Sequence, residues 1–217
     1  KRFRPVTRPA RSIARACALR WRQTGFCDEP QDRFQGFQRS TSRVGSRMMT
    51  QLEVVASGLA VALQDRGRFG YRRLGVPVSG ALDPDLLAAA NALVGNAADI
   101  AGLEILLSGP VLKVCTGLVR ISVAGDVGAQ LLSARGAVLR LAPWSTATLG
   151  PGDIIRFGAA AAPGSGGLGL AYVGICGGVA VPAVLGSRST YARAALGGMH
   201  GRAIAVGDML PCRSLAG

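Results

Sequence analysis

The chain has 217 residues, 49% of them hydrophobic and 17% charged, a balance that excludes a wholly disordered polypeptide and supports one large packed domain or two small ones. Aromatic residues make up 5%, against 31 Gly and 11 Pro, a mixture that favours short strands and tight turns over long helical bundles. The formal charge of +13 raises nucleic-acid binding as a class, but residues 1–47 hold twelve basic and three acidic side chains while residues 48–217 hold thirteen and nine.

The first 47 residues scatter arginines through Pro, Ser and Gln, with one short apolar patch near Ile13 to Trp21. Such a stretch buries too little apolar surface to offset the entropy of ordering it, so a disordered arm is expected. Three readings compete with that: an Arg-rich transit peptide, a basic nucleic-acid arm, and translated upstream sequence preceding a start at Met48 or Met49. The body is taken as residues 48–217.

The first polar segment of the body runs Gln64-Asp-Arg-Gly-Arg-Phe-Gly-Tyr71 and on through Leu74-Gly-Val-Pro-Val-Ser-Gly80 to Asp83. Glycines at 67, 70, 75 and 80 permit backbone geometries closed to other residues and let a ligand approach the main chain. Asp65 offers a carboxylate, and Arg68 a planar fork of donors suited to a carboxylate, a carbamate or a carboxylated nitrogen. The plainer reading is a solvated loop in which Asp65 caps a turn and pairs with Arg68.

Asp83-Pro84 then reads as an N-cap followed by proline at the first helical position. The stripe Leu86, Leu87, Ala90, Leu93, Val94 and the stop Gly95-Asn96 complete one short helix over about 83–95. Short apolar runs follow at Leu103 to Leu107, Val111 to Cys115, Val119 to Ala124, Ala129 to Leu132, Val138 to Leu141, Ala147 to Leu149 and Ile154 to Phe157, separated by turn residues. Many strands at this spacing with one helix predict a mainly β barrel or sandwich.

The uncharged run Phe157 to Ser187 exceeds a bilayer-spanning length, but nine of its residues are Gly and two are Pro. It reads instead as two buried strands, Leu168 to Ile175 and Val179 to Leu185. Gly164-Ser-Gly166-Gly-Leu-Gly169 matches a dinucleotide fingerprint in letters only, since no carboxylate occurs between Gly169 and Asp208. The second polar segment, Gly186-Ser-Arg-Ser-Thr-Tyr191 with Gly197-Gly-Met-His-Gly-Arg202 behind it, offers hydroxyls and an arginine as an oxyanion or carboxylate cradle, or simply as a turn or helix cap.

Several chemistries are excluded along the way. Five cysteines at 17, 27, 115, 176 and 212 include no C-x-x-C, so no zinc site or disulfide framework is expected and a reducing, cytoplasmic setting is the simplest. His200 is the one histidine, which leaves no multi-histidine metal centre and makes a Ser-His-Asp triad a poor fit; no metal site is expected. Neither a G-x-S-x-G nor a Walker A lysine is present.

Taken together, LQDRGRFGYRRLGVPVSGALDPDLLAAANALVGN, LEILLSGPVL, VAGDVGA, GDIIRFG, GGVAVPAVLGSRSTY and GRAIAVGDML resemble the biotin-dependent carboxyltransferase family, also called allophanate hydrolase subunit 2, over nearly all of Leu59 to Leu210. Arg66, Arg72, Arg73 and His200 fall where that family varies, and its members continue past the position of Leu210, so residues 48–217 would be the N-terminal part of the family domain. The resemblance implies a cyclophilin-like β-barrel with one short helix. It implies a subunit or fragment of a heteromeric ATP-dependent amide or lactam hydrolase of the 5-oxoprolinase kind, inactive in isolation. Biotin-dependent carboxyl transfer to urea, on the urea carboxylase and allophanate pathway, is the first alternative, and a non-enzymatic antagonist of a sensor-kinase inhibitor the second.

For such chemistry Asp65, Asp83 or Asp126 would manage a proton, while Gln64, Arg68, Ser79, Gly80, Ser187, Arg188 and Ser189 would bind substrate. The small-molecule substrate would be an amide or lactam. ATP, and biotin where used, would come through an allophanate hydrolase subunit 1-type partner; none would be bound covalently here, since Lys113 is the body's one lysine. Neither nucleic acid nor a membrane is an expected partner.

Overall fold

A computed structural model describes residues 49–158 and 169–213. The expectations about the basic arm 1–47, and most of the letters-only glycine fingerprint, lie outside the described residues.

Eleven strands and one α-helix make up the described fold. In β1 (Met49–Ala56) buried and less buried side chains alternate, with Thr50, Leu52 and Val54 inward, the period-2 pattern of a strand with one face on a core. Three residues suffice for β2 (Ala62–Gln64), and the helix α1 (Pro84–Val94) follows. Then come β3 (Gly102–Leu106), β4 (Val111–Thr116), β5 (Val119–Gly125), β6 (Ala129–Leu132), β7 (Val138–Leu141), β8 (Ser145–Leu149), β9 (Ile154–Phe157), β10 (Leu170–Ile175) and β11 (Met209–Arg213). One antiparallel sheet has the order β11-β1-β4-β9-β6-β7, the other β2-β3-β10-β5-β8. The mainly β architecture with a single helix is as the sequence predicts, and it is compatible with a cyclophilin-like fold; its strands form two facing sheets rather than one closed ring of hydrogen bonds.

The core lies between the sheets. Leu52, Val54, Leu112, Val114 and Ile155 from the first sheet meet Leu103, Ile105, Ile121, Val123, Val173 and Ile175 from the second. All six residues of β10 are buried because its other face is covered too: Tyr172 and Leu170 pack with Ala124 against Leu87 and Ala90 of α1. The helix begins as the sequence predicts, with the Asp83 carboxylate accepting from the Leu86 N–H at 2.9 Å and Pro84 at its first turn. It stops at Gly95, φ 78°, and Asn96 locks the exit by donating to the Ile175 carbonyl at 2.7 Å while accepting from the Gly177 N–H at 2.8 Å.

Each of the seven strands expected between Leu103 and Phe157 is present, and the first of the two in the glycine-rich run is β10. The expected strand Val179 to Leu185 is not. Its residues make only isolated bridges, Val179 to Cys212 on β11 and Val184 to Ser187. Pro182 has no N–H to give a ladder, and Val184 and Ser187 close a tight turn on each other. Burial, not strand pairing, explains part of this run's apolar composition. No helix among the described residues is long and apolar enough to cross a membrane.

Helix and second sheet touch through backbone. The Ser122 hydroxyl donates to the Ala90 carbonyl at 2.6 Å, and a Cβ on Gly174 would lie 2.5 Å from that carbonyl oxygen and 2.6 Å from the Ser122 Oγ. Gly174→Ala should therefore push α1 off β10 and β5 and lower stability by about 1–3 kcal/mol. A urea midpoint unchanged from wild type would show that the layer has slack.

Candidate functional site

Strand β2 ends at Gln64 and delivers Asp65 to the rim of the second sheet, where its side chain is buried. Three donors converge on that carboxylate: the Gly67 N–H and the Ser187 hydroxyl at 2.7 Å on Oδ1, and the Arg188 N–H at 2.6 Å on Oδ2. Both polar segments picked out in the sequence are thus joined at one residue. The Ser187 and Ser189 hydroxyls lie 2.8 Å apart. On the same side the Thr190 carbonyl accepts from Ser79 Oγ at 3.0 Å and from Gln64 Nε2 at 3.4 Å, and Arg188 Nε donates to the Val181 carbonyl at 2.9 Å. Gly80, at φ +94°, sits where a Cβ would be 2.8 Å from the Gly67 nitrogen, so only glycine lets these two loop strands approach.

The same cluster holds Arg68, 1% exposed. The sequence leaves open whether Arg68 is a surface partner of Asp65; it is not. Among the described residues the one ion pair is Arg202–Asp208. Arg68 Nη2 instead donates to the Ser189 carbonyl, and its backbone N–H to the Val78 carbonyl at 2.8 Å. Among the described residues its Nε and Nη1 have no hydrogen-bond partner, nor do Gln64 Oε1 and Thr190 Oγ1. Every such orphaned buried side-chain atom among the described residues belongs to these three side chains. Leaving one unsatisfied costs about 1–3 kcal/mol, so their collection in one place marks a site kept for something other than stability. Gly197 and Gly198 provide the room: Cβ atoms there would lie 2.8 Å from Arg68 Nη2 and 2.0 Å from Thr190 Oγ1.

Gln64, Asp65, Arg68, Ser79, Gly80, Ser187, Arg188 and Ser189 are therefore brought together, and Thr190, Gly197 and Gly198 join them. Asp83 and Asp126 are not. Asp83 is occupied as the α1 cap, and Asp126 is exposed on the turn between β5 and β6 without a hydrogen-bonded carboxylate. No group of His, Cys, Asp and Glu among the described residues is arranged to hold a metal.

A second buried network, missed in the sequence, closes the loop that carries Arg68. Glu104, a lone acid in the apolar run of β3, accepts from the Leu82 N–H at 2.8 Å and from the Tyr172 hydroxyl. Tyr172 Oη in turn accepts the Asp83 N–H at 3.0 Å, and the Ala81 N–H goes to the Asp65 carbonyl at 2.8 Å. Three consecutive backbone donors thus anchor the end of the loop. A single acid amid Leu and Ile is the signal available for this, since a buried carboxylate requires partners.

Comparison with known proteins shows the family. The model of the carboxyltransferase domain, subdomains A and B, matches residues 74–217. The chain belongs to this family. It is 34% identical to a 5-oxoprolinase subunit of Escherichia coli over 163 residues, covering 74% of this chain and 48% of that protein. It is also 34% identical to the urea amidolyase of Lachancea kluyveri over 159 residues, covering 73% of this chain and 8% of that one. The crystal structure of the K. lactis urea amidolyase superposes with a TM-score of 0.66 at 38% identity, over 75% of this chain and 9% of that one. The chain thus spans about half or less of these relatives.

Burial raises the Tyr172 hydroxyl far above its ordinary value, opposed by the Asp83 N–H and reinforced by Glu104; burial also pushes the Cys212 thiol up to about 12. The folded protein keeps both protons to higher pH than the unfolded chain does. Their stabilising contribution is complete below about pH 9 and lost as pH rises towards 12. The urea midpoint should fall steadily across that window, and less steeply in Tyr172→Phe; a flat profile would contradict the burial of these groups.

Proposed function

We propose that this chain is part of a heteromeric ATP-dependent lactam hydrolase of the 5-oxoprolinase kind, with the Gln64–Arg68–Thr190 cluster holding the substrate. One observation carries this reading: the orphaned atoms form a donor and acceptor set matched to an amide. Arg68 Nε and Nη1 offer N–H groups to a carbonyl or carboxylate oxygen, while Gln64 Oε1 and Thr190 Oγ1 offer acceptors to an N–H. A cyclic amide carrying a carboxylate presents both, and supplies the negative charge that the buried guanidinium lacks. Asp65 holds the Ser187–Ser189 turn against the Arg68 loop, so the cluster is set before substrate arrives. The orphaned atoms are closed from solvent.

ATP belongs to a partner subunit in this proposal, in keeping with the Escherichia coli relative's being one subunit of its 5-oxoprolinase; that partner would be of the allophanate hydrolase subunit 1 type. Urea as carboxyl acceptor is the second reading, favoured by the urea amidolyase relatives and by the fact that urea also presents C=O beside N–H. In that case biotin would come from another domain, because Lys113 sits within β4, opposite Glu53 on β1 and Ile154 on β9, not at a hairpin tip.

Reconstitution with the partner subunits decides between them: ADP formation dependent on 5-oxoproline is expected, and dependence on urea and bicarbonate would replace the first reading with the second. In that assembly Arg68→Lys should lower turnover about 10- to 100-fold, since a point charge does not replace a planar set of charge-assisted bonds worth about 1.5–3 kcal/mol. Wild-type turnover by the Lys variant would sink the cradle.

A further inference from the structure

No acidic residue occurs between Asp65 and Asp83, whereas Arg66, Arg68, Arg72 and Arg73 do. These four arginines equal the whole net charge of residues 48–217, thirteen basic against nine acidic. Four arginines with no acid among them therefore crowd one loop. Arg68 points inward; Arg66, Arg72 and Arg73 are exposed, and among the described residues none of the three has an ion pair.

Large apolar groups stand among them. Phe69 is 67% exposed and Leu74 77%, and two adjoining clefts of about 460 and 470 Å³ run along the loop. Phe69, Arg72, Arg73 and Val78 line the first, and Val78 and Tyr191 the second, with no carboxylate on either wall. The loop is held by its own backbone: Leu74 and Val76 N–H groups reach the Tyr71 carbonyl at 2.9 and 3.3 Å, and the Gly75 N–H reaches the Arg72 carbonyl at 3.0 Å. A preordered loop loses little entropy on docking. Arginine and aromatic side chains beside a cleft, rimmed by exposed charge, have the composition of a protein–protein hot spot.

We infer that the 66–78 loop is a docking surface for an acidic, apolar-tipped segment of a partner protein, whose carboxylates pair with Arg66, Arg72 and Arg73 and whose apolar side chain enters the clefts lined by Phe69 and Val78. A duplex nucleic acid fits less well, because tight phosphate binding draws on roughly six to ten contacts along a stripe, and this patch offers only Arg66, Arg72 and Arg73. Docking also reaches the candidate site: Val78 lines both clefts, and its carbonyl holds the Arg68 N–H. A partner seated here bears on the loop that closes over Gln64, Arg68 and Thr190.

The docking surface takes its partner from the proposed function but not its substrate, so the test reads binding without turnover. The probe is the partner subunit used in the reconstitution, with affinity measured by calorimetry at low and high salt. Arg72→Glu with Arg73→Glu should weaken the complex about 100-fold without lowering the melting temperature, and Phe69→Ala should weaken it about tenfold. Arg140→Glu, an exposed charge reversal on β7, should leave it unchanged. Salt should weaken the wild-type complex and have little effect on the double variant. Absence of a wild-type complex, or an affinity indifferent to the double reversal, would overturn the assignment. Tight binding of a duplex of roughly 20 base pairs by the full chain at physiological salt, lost in the double variant, would assign the patch to nucleic acid instead. A complex that forms as expected yet hydrolyses no 5-oxoproline would leave the docking surface standing and remove only the substrate reading.

Discussion

Everything around the candidate site depends on the carboxylate of Asp65. It accepts from its own loop at Gly67 and from a turn 122 residues later at Ser187 and Arg188, and charge-assisted bonds of this kind are about twice as strong as neutral ones. Removing the carboxylate would release two loops at once. With it in place, Ser189 presents its carbonyl to Arg68 and Thr190 presents its carbonyl to Gln64 and Ser79. Ser79 itself sits at φ 57°, an unfavourable region for a residue with a Cβ, and is kept there by surroundings that leave it no alternative.

Arg68 is the reverse case. A guanidinium taken out of water without a carboxylate beside it is a stability cost, because the solvation it loses is returned only in part by the Ser189 carbonyl. The folding energy that tolerates it comes from elsewhere: a core closed between two sheets and a helix layer sealing the far face of β10. A stable frame of this kind can carry a few unmet polar atoms, and those among the described residues lie in one cluster.

Much of the frame is legible in the residues themselves. Asp83-Pro84 and Gly95 mark both ends of α1 because cap chemistry is local, and the strands from β3 to β9 are delimited by turn residues for the same reason. Where tertiary contact decides, the sequence is mute. Val179 to Leu185 has strand composition but is an irregular buried segment, with Pro182 inside it. β2 is three residues long, too short for periodicity to register. Asp65 and Arg68, three apart in a glycine-rich loop, look like a surface pair; only the fold shows that Ser187 and Arg188 claim the carboxylate and that the guanidinium turns inward. Asp83 and Asp126 look equivalent to Asp65 as carboxylates near turns, and burial separates them.

Loop 66–80 is fastened at both ends, and its middle is held by its own backbone. At one end stands the Asp65 carboxylate; at the other, Ala81, Leu82 and Asp83 give successive N–H groups to the Asp65 carbonyl, Glu104 and Tyr172. The second anchor rests on β3 and β10 of the second sheet, and the first ties the loop to the turn at Ser187 and Arg188. Between them the loop presents Arg72, Arg73 and Leu74 outward and Arg68 inward. A span braced in this way passes load on its outer face to its inner one through its own hydrogen bonds. The Arg68 N–H to Val78 carbonyl bond lies within that span, and it is there that binding outside and binding inside would meet.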